Sequence, residues 1–232
     1  LLDADIYGPS LPTMLGIGIG KYPDTVDDAW FVPHHAHGVD VMSIGFLLQG
    51  DSPVVWRGPK ATGALIQLVS QTRWSSLDYL IVDMPPGTGD IQLTLAQRVP
   101  VAGAVVVTTP QDIATLDAKK GIEMFRKVDI TVLGIVENMS QHICTNCGHT
   151  EAIFGSGGGV QMAEQYDVAL LAQLPLDKRI REQTDIGCPT VVADPDGNLA
   201  QQYTELARRV SARLALGQRV ADTRIPLNPS SK

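Results

Sequence analysis

The sequence has few cysteines, no long apolar run and a minority of basic residues. Its three cysteines are too few for a disulfide framework, which favours a reducing compartment, and we expect a cytoplasmic protein. The longest apolar stretches, such as residues 103–107, are far shorter than the roughly 20 residues that cross a bilayer. Lysine and arginine number 18 against 25 acidic residues and form no cluster. We therefore expect neither a membrane span nor a nucleic-acid partner.

What the sequence does contain is the alternation typical of an α/β protein. Short β-rich apolar runs alternate with stretches whose apolar residues recur every three to four positions, which indicates βαβ units around a parallel sheet. The predicted strands are 39–44, 79–83, 103–108, 132–138, 170–174 and 190–192, and the predicted helices are 60–73, 112–128 and 199–216. We expect a mostly parallel, doubly wound sheet in one domain over residues 1–216, followed by a tail over 217–232.

The start of the chain is unusual, because it opens with Leu1-Leu2-Asp3 and without Met. Two apolar residues that run into acids are typical of the carboxyl end of a buried strand. We therefore expect a fragment in which the beginning of this strand is missing.

The turn after the predicted strand 79–83 has the composition of a phosphate site. Asp83 ends the strand, and Pro86-Gly87-Thr88-Gly89 follows shortly after it. Ligands bind at the carboxyl ends of parallel strands, an aspartate there suits a nucleotide-bound Mg²⁺, and glycines let backbone N–H groups approach a phosphate. The alternative is an ordinary strand–turn–helix junction in which Asp90 only caps the next helix.

A second acidic pair follows the first apolar residues. Asp3 and Asp5 lie two residues apart and so on one face of a strand. One could order a metal-bound water and the other the attacking water, whereas the alternative is that both form turns before Gly8-Pro9.

Neither glycine-rich run of the chain matches a P-loop. When the run 16–22 is aligned with the P-loop motif, the motif's first glycine falls on Leu15 and its Ser or Thr falls on Tyr22. The run 154–159 is not followed by the lysine that the motif requires. We expect the second run to lead into a helix around 162–166, and the phosphate cradle to be absent from both runs.

The pair Cys144-Thr145-Asn146-Cys147 has the spacing of two metal ligands. Zinc or a four-iron cluster normally takes four protein ligands, so that one chain is two thiolates short, and a two-fold dimer would complete the set. Three alternatives remain open: a zinc site completed by His142 and His149, a redox dithiol, and an inert turn. The third cysteine, Cys188, is expected to be a small core or loop residue.

Taken together, these stretches resemble the Mrp/ApbC family of iron–sulfur cluster carriers, within the MinD-like deviant P-loop ATPases. The resemblance extends from Leu1 to about Leu216, and its residues are Leu2–Ser10, Val41–Phe46, Trp56–Pro59, Leu77–Asp90, Val107–Gln111, Met124–Lys127, Gly134–Ser140, the cysteine pair and Phe154–Gly158.

The resemblance implies a parallel nucleotide-binding sheet and a homodimer with a [4Fe–4S] cluster bridged between the two cysteine pairs. It assigns residues to roles as follows: Asp5 orders Mg²⁺ and attacking water with Asp3 beside it, Asp83 is the Walker B acid, Pro86, Gly87, Thr88 and Gly89 sense the γ-phosphate, Asn138 reads adenine, and Cys144 and Cys147 bind the cluster. The family's Walker A segment would lie upstream of Asp3, so the first strand and the P-loop are missing from this chain.

The resemblance therefore predicts an iron–sulfur carrier that hands its cluster to apo-proteins, with ATP binding and hydrolysis in the intact protein. Two rival functions are a MinD-type ATPase switch without a cluster and a structural dimer joined by zinc.

Overall fold

The computed structural model describes residues 1–18, 21–27, 29–47, 58–144 and 146–217. Within these residues the chain forms two compact units, one of residues 1–100 with 183–189 and one of residues 101–182 with 190–217. Trp56 and Arg57, which belong to the family resemblance, and the expected tail from residue 218 onward lie outside the described residues.

The first unit is built on a four-stranded sheet with the order β4-β5-β1-β6. β1 pairs in parallel with β5 and β6, β4 pairs antiparallel with β5, and β2 and β3 form a separate antiparallel pair. The elements are β1 (Leu2–Asp3), α1 (Leu11–Met14), β2 (Thr25–Val26), β3 (Trp30–Phe31), β4 (His34–Ala36), β5 (Val39–Ser43), a 3₁₀ helix (Ile44–Leu47), α2 (Gly58–Gln71), β6 (Val82–Asp83) and α3 (Asp90–Arg98).

The second unit contains a parallel three-stranded sheet with the order β11-β8-β7 and the antiparallel hairpin β9-β10. The last three residues of α6 belong to the first unit. The elements are β7 (Ala104–Thr108), α4 (Asp112–Lys127), β8 (Val132–Glu137), β9 (His142–Ile143), β10 (Thr150–Glu151), α5 (Gly158–Tyr166), β11 (Leu170–Gln173), α6 (Lys178–Asp185), α7 (Thr190–Ala193) and α8 (Asn198–Gly217).

Apolar side chains repeated at strand and helix periods form the cores. In the first unit Leu2 of β1 and Met42 of β5 are fully buried with Leu65 and Leu68 of α2. In the second unit Ile122 of α4 is buried in a cluster with residues of β7, β8 and α5. Helices α2 and α4 bury apolar side chains in these clusters, which is why such a helix packs on one side of a sheet, although Ile113 and Leu116 of α4 are exposed.

The longest described helix, α8, is amphipathic rather than apolar throughout. It carries the ion pair between Glu205 and Arg209 one turn apart. Among the described residues, no helix combines the length and the apolar composition that crossing a membrane requires.

Most of the predicted strands and helices are present, with ends shifted by a few residues, but the strand predicted at 190–192 is wrong and the one predicted at 79–83 is shorter than expected. Residues 190–192 belong to helix α7, which spans Thr190–Ala193. Of the predicted strand 79–83, only residues 82–83 form β6, and Tyr79 and Ile81 are exposed, although the Ile81 carbonyl still accepts the Leu2 N–H at 2.8 Å. β6 is the outermost described strand of its sheet, and it pairs with β1 through Leu2–Val82 and Asp3–Asp83.

Replacement of Gly134 by alanine tests the close packing of β8 against β11. An added Cβ would lie 2.5 Å from the Ala169 carbonyl oxygen and 2.7 Å from Leu171 Cγ. Because the backbone cannot yield easily, we expect Gly134→Ala to lower the free energy of unfolding by about 1–3 kcal/mol in urea titrations.

The matched control is Gly121→Ala in helix α4, where an added Cβ meets nothing within 4 Å. Alanine favours a helix over glycine by about 0.5–1 kcal/mol, so this variant should be as stable as the parent or more stable. Equal stability of the two variants would contradict the assigned β8–β11 contact.

Candidate functional site

Asp3 is a fully buried carboxyl at the carboxyl end of β1. Its Oδ1 accepts the Asp5 N–H at 3.1 Å, and its Oδ2 accepts the Ser43 hydroxyl at 3.0 Å and the Leu11 N–H at 3.3 Å. Burial raises the pKa of Asp3 to about 6 despite these donors, and repulsion from Asp83 adds to the rise. Asp3 therefore has an acidity unlike that of a surface carboxyl.

Asp5 is half-buried and organises the segment that follows β1. Its Oδ1 accepts the N–H groups of Tyr7 at 3.0 Å and Gly8 at 3.3 Å. Asp5 thus forms the turn before Gly8-Pro9 that the sequence predicts as its alternative role. The turn leaves Oδ2 with no hydrogen bond from a described residue of the unit. The structure thus supports the turn and leaves an oxygen for a water or cation.

Asp83 lies level with Asp3 because β1 and β6 pair in parallel with Leu2 opposite Val82. It is exposed, contrary to the expected buried strand tip, and β6 is the outermost described strand of its sheet. Partial loss of hydration and then repulsion from Asp5 raise the pKa of Asp83. Asp3, Asp5 and Asp83 are therefore brought together at one end of the first unit's sheet.

The turn after Asp83 is stabilised by hydrogen bonds from the Gln92 side chain. The buried Gln92 amide Nε2 donates to the Pro86 carbonyl at 2.6 Å. Gly87 has φ +96°, a conformation that side chains other than glycine rarely adopt. Gly89 precedes helix α3, and Asp90 is the first residue of that helix rather than its cap. Pro86, Gly87 and Gly89 are exposed, so their backbone is open to a ligand.

Asn138 belongs to the second unit and lies directly after β8. Its N–H donates to the Thr108 carbonyl at 2.7 Å, which continues the pairing of β8 with β7. Its side-chain Oδ1 accepts the N–H of Met139 at 2.9 Å, and Met139 has φ +55°. The strand end and this local bond fix the direction of a half-buried amide.

Cys144 and Cys147 lie in the turn of the β9-β10 hairpin. The N–H groups of Asn146 and Cys147 point to the Cys144 sulfur, as does the Cys147 thiol. Cys144 N–H donates to the His149 carbonyl at 2.9 Å and Gly148 N–H to the Cys144 carbonyl at 2.9 Å, with Gly148 at φ +72°. The two sulfurs are thus side by side in a hydrogen-bonded turn.

The same N–H groups lower the pKa of the Cys144 thiol, with a smaller contribution from His142. A thiolate is the form that binds metals, and N–H donors aimed at sulfur compensate its charge. Redox dithiols of the thioredoxin type begin a helix, whereas this pair lies in a hairpin with Cys147 exposed. The geometry favours metal ligation over the redox alternative.

A complete metal site is not present in the described part of the chain, where no three His, Cys, Asp or Glu side chains are grouped to hold an ion. His142 Nδ1 instead lies 3.0 Å from the Leu176 carbonyl. The alternative of a zinc site completed by His142 and His149 is therefore not formed. The acids of the first unit that the structure describes likewise form no ligand set of three.

Three buried polar residues near these sites escaped sequence reasoning. Ser43 donates to Asp3, Gln92 supports the 85–86 turn, and Glu137 is fully buried at the end of β8. The available signal was weak: each is a polar residue within an otherwise buried strand or helix face. The partners of Ser43 and Glu137 are more than 20 residues away, and those of Gln92 are backbone carbonyls six and seven residues away, so no sequence motif identifies these contacts.

Comparison with solved structures defines the class of protein. A nucleotide-binding protein from Archaeoglobus fulgidus, solved in complex with ADP, superposes with a TM-score of 0.70 at 34% identity over 86% of this chain and 76% of that one. MinD from Pyrococcus horikoshii, complexed with Mg-ADP, superposes with a TM-score of 0.67 at 21% identity over 94% and 85%. The fold is that of the MinD-like P-loop NTPases, which confirms the predicted fold class.

Sequence comparison identifies the family. The model of the ParA family described as NUBPL iron-transfer P-loop NTPase matches residues 1–211, and the chain belongs to this family. An iron-sulfur cluster carrier protein from Pseudomonas fragi is 64% identical over 89% of this chain. The chain spans 72% of that relative's length and 58% of several others that have the same name.

The buried carboxyl of Asp3 predicts a pH dependence of stability. Its pKa lies near 6 in the folded chain and near its ordinary value of 3.8 when unfolded, so the folded state binds more protons between these values. Stability should fall as pH rises from 4 to 7, by about 2 kcal/mol relative to an Asp3→Asn variant that cannot titrate. Urea unfolding of both proteins without Mg²⁺ measures this difference, and a constant difference would exclude the raised pKa.

Proposed function

We propose that this chain carries a [4Fe–4S] cluster held between the Cys144-Cys147 pairs of two copies and transfers it to apo iron–sulfur proteins. The observation that carries the proposal is a pre-formed pair of adjacent sulfurs with N–H donors directed at Cys144. The relatives named iron-sulfur cluster carrier proteins support the same function.

The need for a second copy follows from the number of ligands. The described residues supply two thiols at this turn and no third ligand beside them, whereas a four-iron cluster normally has four cysteine ligands. A two-fold axis through the hairpins would bring two equivalent pairs together. Cys147 is exposed, so its sulfur is accessible to a partner chain.

Such a cluster would be easy to release. Each copy holds it with two thiolates on one surface hairpin, and separation of the copies removes half of the ligands at once. A stable structural site is instead enclosed by ligands from one chain. Easy release is what delivery to an apo-protein requires, and free thiols of this kind need the reducing conditions of the cytoplasm.

We propose that nucleotide binding belongs to the same protein and acts on the dimer. Asp83 would hold Mg²⁺ through a water, Asp5 with Asp3 would order Mg²⁺ and the attacking water, and Pro86, Gly87, Thr88 and Gly89 would sense the γ-phosphate. Asn138 would hydrogen-bond to adenine. The supports are the in-register carboxyls, the open backbone after Asp83 and the fixed Asn138 side chain.

Removal of either cysteine should abolish cluster binding. After anaerobic reconstitution with iron and sulfide, the unmodified protein should contain about four irons per two chains and elute as a dimer. Cys144→Ala and Cys147→Ala should each lose the visible absorbance and the iron. Absorbance, iron analysis and size-exclusion chromatography provide the measurements.

Cys188→Ala is the matched control, because Cys188 lies in a different unit from the pair and should leave iron content unchanged. Iron that remains bound to a monomer would contradict the shared site. One zinc per dimer with no iron would instead favour a structural dimer, and a nucleotide-dependent dimer without any metal would favour a MinD-type switch.

Asp83→Asn tests the nucleotide half of the proposal. Loss of a negative charge beside Mg²⁺ should reduce the rate of ATP hydrolysis by the intact protein by about tenfold or more. Asp78→Asn changes an exposed acid upstream of β6 and should have no effect. Equal rates for the two variants would remove Asp83 from the Mg²⁺ site.

A further inference from the structure

Glu137 is a fully buried acid at the end of β8 that neither proposed site uses. Its Oε2 accepts the Gly159 N–H at 2.6 Å, and its Oε1 accepts the Gln173 side-chain amide at 2.7 Å. The carboxyl thus joins β8 to the first turn of helix α5 and to the end of β11. Burial of such a group is costly unless both oxygens are satisfied, as they are here.

The residues after Glu137 lead from β8 to the cysteine hairpin, and they are attached to the segment after β11. The Ser140 N–H and hydroxyl both donate to the Leu174 carbonyl, at 2.9 and 3.1 Å. The Leu176 N–H donates to the Gln141 carbonyl at 2.9 Å. This departing arm is therefore fixed as far as His142, whose Nδ1 lies 3.0 Å from the Leu176 carbonyl.

The returning arm, residues 154–159, approaches the same place. Gly155 and Gly157 have positive φ, and an added Cβ on Gly158 would lie 2.5 Å from the Pro110 carbonyl oxygen. An added Cβ on Gly159 would lie 2.8 Å from Glu137 Cβ. Gly158 and Gly159 therefore allow close packing here, whereas Gly155 and Gly157 supply positive φ in open space, and the Gly159 N–H reaches the Glu137 carboxyl.

We propose that Glu137 is a positioning residue that clamps the base of the cysteine hairpin. Its carboxyl ties the strand that leads to Cys144 to the helix that follows the hairpin, so both arms keep a fixed separation. The hairpin itself has little core, because nearly all of its described residues are exposed or half-buried. Its orientation is consequently set at its base. The consequence for the cluster rests on the proposed carrier function.

The test compares two variants that differ in hydrogen-bonding capacity. Glu137→Leu fills a similar volume and leaves the Gly159 N–H without an acceptor. Glu137→Gln keeps an oxygen for Gly159, and its amide can pair with Gln173 once that side chain turns over. Hydrogen exchange of the Cys144 and Gly148 amides, both bonded within the hairpin, measures the effect in the metal-free protein.

We expect protection of these amides to fall by about tenfold or more in Glu137→Leu and to stay within about threefold in Glu137→Gln. Ile122→Val is the control, because it weakens the core of the same unit without touching either arm. If Glu137→Leu does not fold, Gln173→Ala removes one of the two partners and should give a smaller loss in the same direction. Unchanged protection in the folded variants, or an equal loss in Ile122→Val, would overturn the clamp.

A second measurement follows the cluster. With a chelator present, reconstituted Glu137→Leu should lose its visible absorbance about tenfold faster than the parent, and Glu137→Gln should behave like the parent. Equal lifetimes would overturn the role of Glu137 in cluster retention. Failure of the parent to take up iron would overturn the carrier function instead, while amide exchange would still decide whether the clamp exists.

Discussion

Parallel register is the constraint on which the acidic site depends. Leu2 lies opposite both Met42 and Val82, so Asp3 falls level with Ser43 on one side and Asp83 on the other. Three segments that are far apart in the chain thereby place polar groups at one sheet edge. A shift of one residue would turn Asp3 to the opposite face and remove its hydroxyl donor. The electrostatics of this edge follow from the register and not from any single residue.

In the second unit, the two cysteine sulfurs lie on a hairpin around which the described residues form no hydrophobic core. The hairpin β9-β10 is only two residue pairs long and mostly exposed, so it has little burial to stabilise it. Local hydrogen bonds around Cys144 supply order within the turn, and the buried Glu137 supplies order at its base. Polar interactions therefore order this hairpin, whereas hydrophobic packing orders the sheets.

Sequence reasoning succeeded where a local pattern determines the structure. The period of α4, the β-branched run of β7 and the acids after strands were all recognisable because each depends on neighbours in the chain. It failed at 190–192, where Thr-Val-Val favours a strand but the residues form helix α7. It also missed the exposure of Asp83, the Ser43 donor and the Glu137 clamp, because an edge position or a partner tens of residues away leaves no local pattern.

The exposure of the cysteine turn has a consequence for the exchange of ligands at its two sulfurs. Cys147 is open to solvent, as are the neighbouring Ile143 and Ile153. Another protein could therefore contact these sulfurs while the cores of both units stay folded. Substitution of a ligand at the sulfurs does not require global unfolding. The corresponding cost is chemical: the same accessibility leaves the thiols open to peroxides and alkylating agents whenever they carry no metal.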